Sequence, residues 1–408
     1  MNRLRRNKKL TRLGHCGGEF RRVLPPLPGH QRHFRLWISL RRFATTPVRK
    51  TLGAVLILSI SPVLVHANGS KKVVYYGWGL PDTQYVRDHW REMEEMPLDG
   101  LGILVAINRK TWQQGVRGDG NQLGRQIMGP RAFHIEEFHD AIADLQSAHW
   151  RSFTDNFLPV ALSLNEYVRG LNWFDDERWK IIANNFGVLS RIAAEAKLRG
   201  LIFDPEHYDY RLFSYSVQQK LQDRPFEDCT KMARQRGREV MKAVAAELPD
   251  ATLLSFYGYT LLLSEMRGHS SLKETNYSLL PAFYDGLLEA MPSGACLVDG
   301  YEFSYGYKKR QDFVDSLSRI YHDGSRFTSV PDRYRAHVRA GFGLWLDRDQ
   351  KFEYFTPEEF KESLTYALDV SDKYVWIYGQ SLRFFPPRLP LPFVDAISAA
   401  RRTLRTDR

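Results

Sequence analysis

Carboxylates and aromatic side chains recur together in this chain at spacings that suit acid–base chemistry on a polar substrate. The run Gly200-Leu201-Ile202-Phe203-Asp204-Pro205-Glu206-His207-Tyr208 reads as a β-strand that ends in polar residues. Strand alternation puts Ile202, Asp204 and Glu206 on one side and Leu201 and Phe203 on the other. Two acids aimed the same way at a strand end need solvent, a partner or a proton. A second run, Leu297-Val298-Asp299-Gly300-Tyr301-Glu302-Phe303-Ser304-Tyr305-Gly306-Tyr307, sets Asp299 and Glu302 among aromatics. Parity sends these two acids to different sides unless Gly300 marks a bulge. Glu302 is the one expected at a shared mouth, with Asp299 in a supporting hydrogen bond; the reverse assignment stays open.

Aromatic residues mark most of the predicted strand ends: Trp78, Tyr208, Tyr257, Tyr259, Tyr301, Tyr305, Trp345, Trp376 and Tyr378. Polar groups accompany them at His207, Asp347 and Gln380. Sugar rings pack flat C–H faces on aromatic faces, and carboxylates and amides bind their hydroxyls. Cleaving a glycosidic bond needs one protonated carboxyl to supply the leaving oxygen and one ionised carboxyl as nucleophile or as base for water. Burial or a neighbouring negative charge raises the pKa of the acid. Glu206 beside Asp204 suits the acid role, and Glu302 across the mouth suits the ionised role. The other residues named here are expected to line the substrate site.

Eight strands are expected to position these groups: Val73–Trp78, Gly102–Ala106, Phe157–Leu162, Gly200–Glu206, Thr252–Tyr257, Ala295–Glu302, Gly341–Leu346 and Tyr374–Tyr378. Amphipathic stretches follow each one, near Gln84–Met96, His134–His149, Asp175–Leu198, Cys229–Leu248, Leu280–Met291, Arg310–Tyr321, Pro357–Ser371 and Phe393–Leu404. Thr356-Pro357-Glu358-Glu359 is a helix start with an N-cap, a proline at the first position and a capping-box glutamate. Eight βα units in one chain predict an α/β fold, a (β/α)8 TIM barrel, with the active site where the strands end. An open doubly wound sheet is the competing fold. Tyr76-Gly77-Trp78-Gly79-Leu80-Pro81 after the first strand lacks its glycine-rich phosphate loop. The long connection Asn108 to Arg131 holds five glycines and reads as a substrate loop or as a surface insertion.

The formal charge of +11 belongs to the start of the 408-residue chain. Residues 1–67 hold 14 of the 58 basic residues against one acid, Glu19, and the remainder carries 44 basic and 46 acidic residues. Nucleic acid is therefore not an expected partner. Residues 1–50 form a basic leader, and Leu52 to Val65 is an apolar run. Val65-His66-Ala67 reads as a cleavage site, so residues 1–67 are expected to be a leader and signal peptide and 68–408 the barrel, secreted or periplasmic. No stable membrane span is expected after cleavage; an uncleaved anchor is the alternative, and a start nearer Thr45 to Lys50 would account for the long leader. Of three cysteines, Cys229 and Cys296 follow the leader, at a helix start and in a strand, so no disulfide is expected. No cofactor fingerprint or clustered metal-ligand pattern appears, and a monomer is expected.

Several segments resemble one group of secreted bacterial barrel glycoside hydrolases. They are Met96-Pro97-Leu98-Asp99-Gly100, Asn172-Trp173-Phe174-Asp175-Asp176-Glu177-Arg178-Trp179, Gly200 to Tyr208, Asp299 to Tyr307 and Tyr374 to Gln380. The resemblance implies a barrel acting on carbohydrate; it also implies an acid where Gln380 stands, which leaves Gln380 as a binder of hydroxyls. Asp204-Pro205-Glu206 also resembles the end of the D-x-E motif of chitinase-type barrels, where the aspartate orients a substrate N-acetyl group. The acids that precede that motif are missing, with Gly200 and Leu201 in their place. Two other function classes remain. A divalent-metal sugar isomerase or phosphodiester hydrolase could use Asp204, Glu206, His207, Asp299 and Glu302. A non-catalytic sugar-binding barrel would keep the aromatics without turnover.

Overall fold

In a computed structural model the alternating pattern becomes a ring of parallel strands with helices outside it. The structure describes residues 70–111, 121–162, 166–208, 210–347, 354–380 and 389–406. Among them the strands are β1 (Lys72–Gly77), β2 (Gly100–Leu101), β3 (Phe157–Ala161), β4 (Gly200–Asp204), β5 (Thr252–Ser255), β6 (Cys296–Asp299), β7 in two segments (Val338–Ala340 and Phe342–Trp345) and β8 (Tyr374–Gly379). The first segment of β7 pairs with β6 and the second with β8, while β8 pairs with β1 and β1 with β2. A bridge between Gly102 and Phe157 joins β2 to β3 and closes the ring. The fold is the expected (β/α)8 barrel.

Two differences from the sequence reading have local causes. The second strand is paired over Gly100–Leu101, and beyond it only isolated bridges at Gly102, Leu104 and Ala106 continue its path. The seventh strand breaks at Gly341, where a Cβ would lie 2.8 Å from Val298 and 3.0 Å from the Tyr374 carbonyl. A bare glycine lets the strand turn from one partner to the other there.

Parity divides the side chains into two cores. Val74, Phe157, Ile202, Leu254, Phe256, Val298, Tyr374 and Trp376 fill the barrel interior. Leu201, Leu253, Leu297, Val375 and Ile377 face outward into the larger core beneath the helices. The main helices are Thr83–Met93, His139–Gln146, Asp176–Glu195, Phe226–Glu247, Leu280–Ala290, Arg310–Ser318, Pro357–Val370 and Leu391–Thr406. Their starts are built as the sequence predicts. Asp175 accepts a hydrogen bond from the Arg178 amide at 3.0 Å, and Thr356 and Glu359 complete a capping box. Cys229 and Cys296 are both unbridged. The leader, the apolar run and the cleavage site lie outside the described residues. Among those described, no helix is long and apolar enough to cross a membrane.

The N-terminal end of the barrel is fastened by ion pairs. Lys72 lies 3.5 Å from Asp99 and 3.2 Å from Asp155, Lys373 lies 2.9 Å from Asp155, and Arg401 of the last helix pairs with Asp99. The Tyr374 hydroxyl donates to Asp155 at 2.6 Å. Burial alone would raise the Asp155 pKa, but the Tyr374 and Thr154 hydroxyls and the Lys373 ammonium outweigh it and bring it down to about 2. A carboxylate with a depressed folded pKa adds stability above its unfolded value, and that stability is lost as the pH falls through the folded one. Tyr374→Phe should therefore cost about 1.5–3 kcal/mol at pH 7, the range for hydrogen bonds to charged groups. Urea unfolding at stepped pH should show the gap closing as the pH drops from about 4, the ordinary aspartate value, towards 2.

Candidate active site

Three acids converge at the opposite end of the barrel. Asp204 is the last residue of β4, on the inward face with Ile202, and is buried. Its Oδ1 accepts the Glu206 backbone N–H at 3.0 Å, which fixes the turn through Pro205 and holds Glu206 half-buried just past the strand. Glu302 comes from beyond β6. That strand ends at Asp299, the Gly300 amide bonds the Ser255 carbonyl at 2.6 Å, and Tyr301 takes a left-handed conformation with φ +42°. A Cβ on Gly300 would sit 2.7 Å from the Ser255 oxygen and 3.0 Å from the Trp376 indole nitrogen. Glu302 then bonds its amide to the Phe256 carbonyl at 3.1 Å, and its side chain receives hydrogen bonds from the Tyr257 and Tyr305 hydroxyls.

Burial, followed by the charges of Glu206 and Asp204, pushes the Glu302 carboxyl well above the usual range; the two tyrosine donors oppose this. Burial also raises Glu206, against the Tyr208 hydroxyl that donates to it at 2.5 Å. Both carboxyls favour the protonated form more than a free glutamate does, and the stronger push is at Glu302. The sequence reading gave the acid role to Glu206; the environment gives the firmer proton to Glu302, because it is enclosed and faces two other carboxylates. The Tyr76, Tyr257 and Tyr305 hydroxyls are raised well above 10 by burial first and by these acids second, so they remain donors.

An aromatic wall completes the mouth on the β1, β7 and β8 side. Tyr378 stacks near Tyr305 with centroids 5.6 Å apart, Trp345 lies 5.3 Å from Tyr305 and 5.4 Å from Tyr378, and the Trp78 indole donates to the Tyr378 hydroxyl. Tyr208 and Phe303 are exposed at the rim.

Other expected site residues lie elsewhere. Trp376 is wholly buried as the floor, stacked on Phe256 at 4.1 Å with its indole donating to the Gly300 carbonyl at 2.8 Å. Tyr259 bonds Asp285 at 2.8 Å under the helix Leu280–Ala290, and Tyr301 packs outward and takes a bond from Arg319 at 3.2 Å. His207 is buried flat against Tyr277 at 4.1 Å, and burial and Arg211 hold it neutral, its pKa down to about 3. Asp347 is buried and accepts the Gln380 amide at 2.7 Å, so this pair shapes a loop. Asp299 turns away from the mouth into the outer layer, as the supporting position requires. Tyr76 and Tyr277 were missing from the sequence reading. Tyr76 shares the strand face of Trp78, so parity could have found it, whereas Tyr277 lies in a loop with no period to follow.

No family model matches this chain, and no curated protein matches it in sequence. Among solved structures it is similar to a GH18 chitinase from Pseudoalteromonas aurantia, at 10% identity over 81% of this chain and 99% of that one, with a TM-score of 0.40. It is also similar to 3-keto-D-glucoside 4-epimerase from E. coli, at 13% identity over 82% and 100%, with a TM-score of 0.41. A third is a GH18 chitinase from Flavobacterium johnsoniae, at 12% identity over 83% and 96%, with a TM-score of 0.36. Likeness at this level says nothing of chemistry, and the barrel is established by its own strand pairing.

The Tyr208 hydroxyl stabilises the ionised form of Glu206, so Tyr208→Phe should raise the Glu206 pKa further. Infrared titration of the carboxyl band, with Glu206→Gln to assign it, should show that midpoint moving to higher pH. A midpoint that stays or falls would remove Tyr208 from the cluster.

Proposed function

We propose that this chain is a glycoside hydrolase acting on an oligo- or polysaccharide, with Glu302 as proton donor and Glu206 as the ionised partner. The observation that carries the reading is the meeting of Asp204, Glu206 and Glu302 in one mouth, lined by tyrosine hydroxyls and an aromatic wall. Carboxyls crowded in a partly desolvated site divide into protonated and ionised members, as bond cleavage between sugars requires. Glu302 gives its proton to the leaving oxygen as the C–O bond breaks. Glu206 supplies negative charge at the anomeric carbon or takes a proton from the attacking water. One water is consumed, and its proton returns to the pair. Asp204 fixes the Glu206 turn, and Trp78, Tyr305, Trp345 and Tyr378 offer faces and hydroxyls to the ring. Among the described residues no group of three or more His, Cys, Asp or Glu side chains is placed to hold a metal ion. The basic leader and the apolar run 52–65 support export of this enzyme, with cleavage after Ala67.

The test is reducing-sugar release by residues 68–408 on a glycan panel, with and without a chelator. Glu302→Gln and Glu206→Gln should each lose roughly 10²–10⁴-fold in kcat, the range for a positioned acid or base. The two variants should fail differently. Aryl glycosides with good leaving groups need no acid and should restore Glu302→Gln, while azide should restore Glu206→Gln. Exchanged rescue patterns would reverse the roles. Chelator-sensitive turnover, or tight binding without turnover across the panel, would sink the carboxyl-pair reading.

A further inference from the structure

Asp299 is a wholly buried carboxylate in the turn that presents Glu302, and the chemistry above does not use it. Its oxygens gather donors from two loops. The Thr260 hydroxyl donates to Oδ2 at 2.8 Å and the Tyr301 amide to Oδ1 at 3.2 Å, and the Gly258 and Thr260 amides also bond it. Gly258 leaves the room for this, because a Cβ there would lie 2.2 Å from Oδ2. One side chain thus ties the turn after β5, which follows Tyr257, to the turn after β6, which leads into Glu302. These are the two turns whose side chains hydrogen-bond each other in the mouth.

We propose that Asp299 is a positioning residue, whose carboxylate locks the 258–260 turn to the 300–302 turn and so aims Glu302 and Tyr257 at the substrate. The Gly300 and Glu302 amides already hold the turn to the end of β5 at Ser255 and Phe256, and Asp299 adds the tie to residues 258–260. Tyr301 is held left-handed, a conformation costly for a residue with a Cβ, and its amide is one of the bonds that Asp299 accepts. The titratable groups facing Asp299 are the hydroxyls of Tyr284, from the helix Leu280–Ala290, and Tyr334, from the helix Pro331–His337; burial keeps both protonated. Burial pushes Asp299 itself up to about 6 against the donors that favour its ionised form. Protonation turns an acceptor into a donor that faces other donors, so the clamp holds above that pH and loosens below it.

Two variants test the clamp, Asp299→Asn and Thr260→Val, with Thr260→Ser as the conservative control. The kinetic arm rests on the hydrolase reading. In it both variants should lose roughly 10–100-fold in kcat, as expected for displacing a reacting group by about 1 Å, with KM little changed. Thr260→Ser should stay near the parent, and the parent's loss of activity below pH 6 should flatten in Asp299→Asn. The second arm needs no turnover: infrared titration should show the Glu302 midpoint falling towards the ordinary value in both variants as water enters the loosened turn. If Asp299→Asn does not fold, the Thr260 pair carries both arms. Parental kcat and a parental Glu302 midpoint in the folded variants would overturn the clamp. A parent without glycan turnover would overturn the proposed function alone, and the infrared arm would still judge the clamp.

Discussion

Three carboxyl groups held against their mutual repulsion are the constraint on which the rest of this structure depends. Asp204, Glu206 and Glu302 reach the same mouth from strands separated by β5. Asp204 is buried and Glu302 enclosed there, so each charge raises the cost of the next. Such a cluster persists only if the backbone beneath it cannot relax. The Asp204 side chain bonded to the Glu206 amide, the left-handed Tyr301 and the Gly300 amide on the Ser255 carbonyl are the local means. The wholly buried Trp376 floor, bonded to the Gly300 carbonyl, prevents the β6 turn from sinking into the barrel.

The two ends of the barrel handle buried acids in opposite ways. At the N-terminal end, Asp99 and Asp155 meet lysines and an arginine, and Asp155 is pulled down to about 2. At the C-terminal end, Glu206 and Glu302 meet tyrosine hydroxyls, and both are pushed up. Hydroxyl donors favour the charged form at both ends; at the closed end the lysine adds to them and outweighs burial, whereas at the open end burial, and for Glu302 the neighbouring acids, prevails. The first arrangement suits closure of the fold and the second suits proton transfer. Tyr374 and Trp376 lie two residues apart on β8, and the one serves the closed end while the other floors the open end.

Much of this was legible in the sequence. Strand and helix periods place each βα unit, because burial on one face imposes a period that the residues must obey. The same parity puts Ile202 and Asp204 inward and sends Leu201 and Phe203 outward. It also separates Asp299 from Glu302. Position at a strand end misleads where parity does not. Tyr259, Tyr301 and His207 look like mouth residues by position, but they carry the outward parity of Leu253, Leu297 and Leu201 and lie in the outer layer. Tyr277, whose hydroxyl accepts the His207 amide and feels the charge of Glu206, comes from a loop whose path no local pattern encodes.

What the sequence determined by itself is the repeating unit, the outward or inward face of each strand residue, and the set of acids able to share a strand end. These follow from steric alternation and from the cost of burying charge, which act within a few residues. Which acid is pushed furthest towards its protonated form was decided by the tertiary structure. Glu302 gains its raised pKa from enclosure and from Asp204 and Glu206, nearly a hundred positions away in the chain. The break of the seventh strand at Gly341 is likewise set by Val298 and Tyr374, which only the closed ring brings against it. Charge and packing act through space, and the barrel makes those distances short.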